Sequence, residues 1–156
     1  MYSVQTIATT GHRPAGLPAG AEAHIRAGVR EIVGRHPGAT WLVGGAIGAD
    51  QIATDELLKL GERVELILPF RPDIQAARWT RDQQRVLREQ VARAAAVHVV
   101  RGYYDPAAYH ERNRHMVQRA DLLVAFWNGR ERGGGTVSTI RLAGRLRVPV
   151  IWFKMA

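Results

Sequence analysis

Residues Gly133-Gly134-Gly135-Thr136-Val137-Ser138-Thr139 lie between an apolar run, Leu122 to Phe126, and a helix-like run, Ile140 to Leu146. Glycines at such a turn let the backbone approach a ligand closely. The helix that follows points its free N–H groups and positive dipole end at the turn, an arrangement suited to phosphate. Two further glycine turns, Thr10-Gly11-His12-Arg13 and Gly44-Gly45-Ala46-Ile47-Gly48-Ala49-Asp50, also follow apolar runs. Three such turns in one chain point to a single nucleotide-like pocket. Arg13 is suited to gripping a phosphate or a base, and His12 to hydrogen-bonding a base or sugar when neutral. Gly44, Gly45 and Gly48 would bring a second backbone segment against the ligand. Asp50 falls in the first turn of a helix, where its charge alone is worth about 0.3–1 kcal/mol. It is equally suited to accepting a ribose hydroxyl or acting as a general base. Phe70 and Trp79 follow Pro69 and would stack on a base, form a lid or cover the sheet edge, and Tyr103 and Tyr104 carry the same ambiguity. Arg112 and Asn113 sit inside a helical stretch, where Asn is a poor helix former, which hints at another reason for it.

Other chemistries lack their signatures. The sequence has no GxxxxGK[ST] loop, its first turn lacks GxGxxG, and it holds no GxSxG elbow. The histidines show no HExxH-like spacing, so no metal site is expected. The absence of cysteine excludes disulfides, thiol catalysis and Cys-ligated zinc.

The 156 residues suffice for one domain, 1–156, with a real core. No stretch approaches the roughly 18 apolar residues of a membrane span, and the N-terminus has no export signature, so no membrane partner and a cytoplasmic location are expected. The net charge is +8. Residues 1–78 carry 8 basic and 8 acidic side chains, whereas residues 79–156 carry 14 basic and 6 acidic, so the whole excess lies in the second half. Arginine dominates these cations, which favours planar recognition of phosphate or carboxylate. Arg78, Arg81, Arg85 and Arg88 recur at near-helical spacing and would suit a single-stranded nucleic acid.

Positioning these residues requires an alternation of strands and helices. Apolar runs at residues 3–9, 40–43, 64–68, 96–100, 122–126 and 148–153 read as strands. Ala21, Ile25, Val29, Ile32 and Val33 mark a first helix, and Ile52, Ala53, Leu57 and Leu60 a second. A long polar helix is expected from about Asp73 to Ala95. Asp105-Pro106 fits the start of another, with Asp105 as N-cap. Short apolar strands alternating with helices imply an α/β fold, a mainly parallel sheet with helices on both faces. Its turns after the strands would share one edge, where ligands of such sheets bind.

Taken in order, Thr9-Thr10-Gly11-His12-Arg13-Pro14, Trp41-Leu42-Val43-Gly44-Gly45-Ala46-x-Gly48-x-Asp50 and Leu68-Pro69-Phe70 with Trp79 resemble a known family. Arg112-Asn113-x-x-Met116-Val117 and Gly134-Gly135-Thr136-x-x-Thr139 complete the resemblance. The chain resembles the SLOG superfamily of SMF/DprA and LOG proteins, and most of all its short YpsA-like branch. The resemblance implies a Rossmann-like, doubly wound fold that binds a nucleotide or nucleotide derivative, such as an ADP-ribose- or NAD-like ligand or a nucleoside phosphate. It places Gly134, Gly135 and Thr136 at the phosphate, with Arg112 and Asn113 near the pocket. It implies no required cofactor beyond that ligand, and self-association as a homodimer or larger assembly. LOG-type phosphoribohydrolases carry a glutamate three residues after the GT pair, where this sequence has Thr139. Binding or sensing is therefore expected ahead of N-glycosidic or phosphoribosyl hydrolysis, for which Asp50 would be the catalytic carboxylate. DprA-like single-stranded DNA binding is a third expectation.

Overall fold

The computed structural model describes residues 3–130 and 132–155. Six strands form one sheet in the order β4-β3-β2-β1-β5-β6, and every neighbouring pair is parallel. The strands are β1 (Thr6–Gly11), β2 (Thr40–Val43), β3 (Arg63–Leu68), β4 (Ala96–Val99), β5 (Leu122–Trp127) and β6 (Val150–Lys154). The helices are α1 (Ala21–Arg35), α2 (Ala49–Lys59), α3 (Pro72–Gln75), α4 (Arg81–Arg93), α5 (Ala107–Arg119) and α6 (Gly135–Arg145). From β1 the chain winds outward to β4, then returns over α5 to β5 on the other side of β1. The winding therefore reverses between β1 and β5, the place where doubly wound sheets open a crevice.

Successive side chains of a strand point to opposite faces, and the core divides accordingly. Ile7, Trp41, Val43, Leu66, Val124 and Phe126 pack under α1 and α2 with Ile25, Val29, Ile32 and Leu57. Ala8, Leu42, Ile67 and Leu123 pack on the other face with Met116 and Val117 of α5 and Leu142 and Ala143 of α6. Central strands buried on both faces explain why they read as unbroken apolar runs.

The single helix expected between residues 73 and 95 is two. The Thr80 hydroxyl accepts from the Gln83 N–H at 3.1 Å, and the Gln83 side chain accepts from the Thr80 N–H at 3.0 Å. This capping box starts α4 afresh, and the Gln84 amide holds the Ala76 carbonyl of the intervening turn at 2.9 Å. The first strand begins at Thr6, later than expected, because the Gln5 and Thr6 N–H groups donate instead to the Asp121 carboxylate. It ends at Gly11, which pairs with Phe126. Helix α5 starts one residue later than expected, with Pro106 rather than Asp105 as its N-cap, and the Asp105 carboxylate accepts from the Ala107 N–H at 3.0 Å from just ahead of it. No helix among the described residues is long and apolar enough to cross a membrane.

Candidate functional site

The three glycine turns meet. One cavity of about 660 Å³ opens at the carboxyl ends of β1 and β5, lined by Thr10, Gly11, His12 and Arg13 of the first turn, by Gly44, Ala46 and Asp50 of the second, and by Gly134, Gly135 and Thr136 of the third. Helix α5 supplies a further wall through Tyr109, Arg112, Asn113 and Met116.

The first turn is tied to the second and to the end of β5. The Ala49 N–H at the start of α2 donates to the His12 carbonyl at 3.0 Å. Gly48 lies against that carbonyl, where a Cβ would stand 2.6 Å from the oxygen, and its φ of 92° is one that side-chain-bearing residues avoid. The His12 ring is buried, and its Nε2 accepts from the Asn128 N–H just past β5 at 3.1 Å. An N–H can only donate, so this nitrogen carries no proton there. His12 thus joins the ends of β1 and β5 to the start of α2.

A buried carboxylate and a buried guanidinium flank Gly44. Asp50 and Arg112 are 8% and 7% exposed. The Arg112 Nη1 donates to the Gly44 carbonyl, its Nε donates to the Asn113 side chain at 2.8 Å, and Asp50 Oδ2 accepts from the Ala46 N–H at 3.1 Å. A Cβ on Gly44 would stand 2.6 Å from Arg112 Nη1 and 2.9 Å from Asp50 Oδ2, so only glycine lets both groups close on the turn. Burial pushes the Asp50 carboxyl above its ordinary value, against the pull of Arg112, the Ala46 N–H and Arg13. Burial also lowers Arg112, with Asp50 opposing, and the guanidinium keeps its charge.

Helix α6 begins at the cavity rim. Gly134 caps it with a φ of 88°, no acidic residue occupies its first turn, and Thr136 is buried there. The Thr139 hydroxyl, at the position of the LOG glutamate, donates back to the Gly135 carbonyl at 2.8 Å. Thr9 belongs to the first motif but not to the expected site residues. It is 3% exposed, lines the cavity, and its hydroxyl has no hydrogen-bond partner among the described residues. Tyr109 also lines the cavity, with the Arg13 guanidinium 5.8 Å from its ring centre.

Several expected residues lie elsewhere. Gly45 packs its backbone on Leu68, Gly48 on His12, and neither lines the cavity. Phe70 neither stacks nor forms a lid, because it is fully buried behind the cavity wall, edge-on to Tyr109 at 5.3 Å and tilted against Tyr104 at 5.1 Å. Trp79 is half-buried in the turn before α4, outside the cavity. The expected arginine row is partly neutralised, since Arg85 pairs with Asp82 and Glu89. No group of three His, Asp or Glu among the described residues has a geometry to hold a metal.

Among known proteins, the family model described as the YspA SLOG family matches residues 22–142. No curated protein matches the chain. Among solved structures, DNA processing protein A from Helicobacter pylori, studied for its single-stranded DNA binding mode, is 20% identical with a TM-score of 0.68. The similarity covers 95% of this chain and 64% of that one. DNA processing protein A from Streptococcus pneumoniae is 14% identical with a TM-score of 0.71, over 95% of this chain and 50% of that one. This chain thus spans less than two thirds of either protein. The molybdenum cofactor carrier protein from Chlamydomonas reinhardtii is 17% identical with a TM-score of 0.62, over 95% of this chain and 75% of that one. At these identities the solved structures share the doubly wound fold, and the family match covers most of the sequence between β1 and the end of α6: the chain belongs to the YspA SLOG family.

Proposed function

We propose that this chain binds a nucleotide or nucleotide derivative in the cavity between β1 and β5, with a phosphate at the N-terminus of α6. The convergence of all three glycine turns on one cavity carries this reading. A helix N-terminus presents about half a positive charge and free N–H groups. Arg13 and Arg112 add full charges, against one buried carboxylate. The unpartnered Thr9 hydroxyl is a second sign, because a buried polar group without a partner is costly unless a ligand satisfies it. The volume of about 660 Å³ suits a ligand of nucleotide size. The Arg13–Tyr109 stack offers a flat wall to a base.

A native mass spectrum of freshly purified protein is the first test, because a retained nucleotide would identify itself by mass. Thermal melting with nucleoside phosphates, ADP-ribose and the molybdenum cofactor follows. Ligand at a hundredfold its Kd stabilises by about 2.7 kcal/mol, a shift of roughly 5–11 °C in a domain of this size. Gly135→Asp should abolish that shift and leave the apo protein folded. A Cβ there meets open space, and an acid suits a helix N-terminus while repelling a phosphate. Undiminished binding by Gly135→Asp would overturn the phosphate assignment.

One observation favours turnover as a second reading: Asp50 is a carboxylate in the cavity, with its pKa raised as a general acid requires. Release of free base from nucleoside monophosphates or NAD-like compounds, lost in Asp50→Asn, would establish it. A broad panel without base release would dismiss it.

A further inference from the structure

Helix α5 has two working edges. Tyr109, Arg112, Asn113 and Met116 line the cavity. Glu111, His115 and Arg119 follow one another at intervals of four, so they form one row along the helix. That row meets the β4 edge of the sheet rung by rung. Arg101, just past β4, pairs with Glu111, and its Nη1 also reaches Asp105 at 3.1 Å. The His98 ring of β4 lies against the His115 ring, with centres 5.9 Å apart and a tilt of 38°. Arg119 donates to the buried Glu65 of β3 at 3.0 Å. The outer rungs join opposite charges, whereas the middle rung joins two imidazoles.

The two rings are not equally placed to take a proton. Burial raises the Glu65 carboxyl, but hydrogen bonds from Arg119 and His98 outweigh it and hold the group below its ordinary value. An ionised carboxylate only accepts, so His98 Nε2, 3.0 Å from it, is a donor. A further proton on His98 enters at Nδ1 and gives an imidazolium with a carboxylate already beside it. His115 has no such place. Burial, then Arg119 and His98, hold its imidazole below the ordinary histidine value. The acid that opposes them is Glu65, which already faces Arg119, His98 and, at 3.8 Å, Arg63. Charge on both rings therefore sets like against like in the middle of the row.

We infer that the His98–His115 contact is an acid-operated latch on the cavity wall: two neutral rings hold the second half of α5 to the sheet edge, and two charged rings release it. The residues of α5 that line the cavity move with the helix, so acid loosens the site from behind. A released His115 takes its proton near the ordinary value of about 6.5, and a latched one only at lower pH. The latch is therefore fully closed above that value and opens as pH falls through it. Each unit between the two values changes the ratio of closed to open by about tenfold. The latch stands whether or not the cavity takes a nucleotide.

Hydrogen exchange of the full chain, converted to protection factors so that the intrinsic pH dependence of exchange cancels, reads the latch without any ligand. Protection of α5 relative to α1 should fall roughly tenfold between about pH 7.5 and about pH 5. His115→Gln should hold the ratio constant. His98→Gln should do the same, since its amide can donate to Glu65 as the ring does. His24→Gln, an exposed change on α1, should follow the parent. The proposal is overturned by a constant ratio in the parent, by a loss that persists in both latch variants, or by protection already missing from both at the neutral end, which would make the rings packing groups only. Thermal melting with ADP-ribose, whose bridging phosphates stay ionised over this range, gives a second readout. Its stabilisation should fade towards acid in the parent and persist in His115→Gln, which leaves the cavity's own His12 and His110 in place. This readout alone rests on the proposed nucleotide site: no melting shift at any pH, with the exchange result intact, would count against that site and leave the latch standing.

Discussion

Replacing Arg112 by methionine keeps the side chain's length and removes its charge and donors. The carboxylate of Asp50, 8% exposed, then loses the cation that most favours its charged form, and the Gly44 carbonyl loses a donor. Removing the compensating buried charge and the donor together costs about 3–5 kcal/mol, because the carboxylate and the carbonyl are stranded in a poor solvent. In a 156-residue chain this lowers the Tm by roughly 6–20 °C. The loss should depend on pH in a defined direction. Burial already raises the Asp50 pKa, and Arg112 is first among the groups that restrain it. Without Arg112 the folded-state value climbs further above the unfolded value of about 4. The folded protein then holds that proton more tightly than the unfolded chain does. Stability therefore falls as pH rises from the unfolded value to the folded one, and is level above it. Urea unfolding of Arg112→Met between about pH 4 and about pH 8 should show the smallest deficit at the acid end. Adding Asp50→Asn should remove most of the slope, since no carboxylate is left to titrate. A deficit below about 1 kcal/mol, or the same pH profile with and without Asp50, would refute the coupling.

Gly44→Ala should destabilise by about 1–3 kcal/mol and weaken ligand binding, because its methyl group displaces both Arg112 and Asp50; denaturant midpoints and thermal shifts report the two effects. Thr80→Ala should lower stability by about 1 kcal/mol through loss of the α4 capping box and leave ligand affinity unchanged. The His115 imidazole is held below its ordinary value by burial, with Arg119 and His98 adding to the effect and Glu65 opposing. It therefore contributes stability that is lost as pH falls through the ordinary histidine value of about 6.5, and His115→Gln should flatten the acid limb of the stability curve there.

The architecture was readable because its signals are local. Central strands such as Leu122–Trp127 are apolar without interruption, and glycines mark the ends of β1 and β2 and the start of α6. The split between α3 and α4 was also local, in Thr80 and Gln83, but helical periodicity across residues 73–95 outweighed it. What the site uses at long range was less visible. A phenylalanine after a strand looks the same whether it faces a ligand or, like Phe70, supports Tyr109 from behind. Thr9 at the end of an apolar strand carries no mark of a hydroxyl left unpartnered at a cavity wall. Its significance depends on where α5 and α6 come to rest, and that is fixed by packing on β1 rather than by neighbours in sequence. The same holds for the paired rings of Trp127 and Trp152, 4.9 Å apart, which are brought together only by the pairing of β5 with β6.

With one carbonyl and one ring nitrogen, His12 fastens the first turn of the cavity to the start of α2 and to the residue just past β5. Walls stitched together in this way are in place before any guest arrives, so entry need not wait for a slow rearrangement. Arrival should then run at the pace of encounter, and discrimination among guests should be written in how long each one stays.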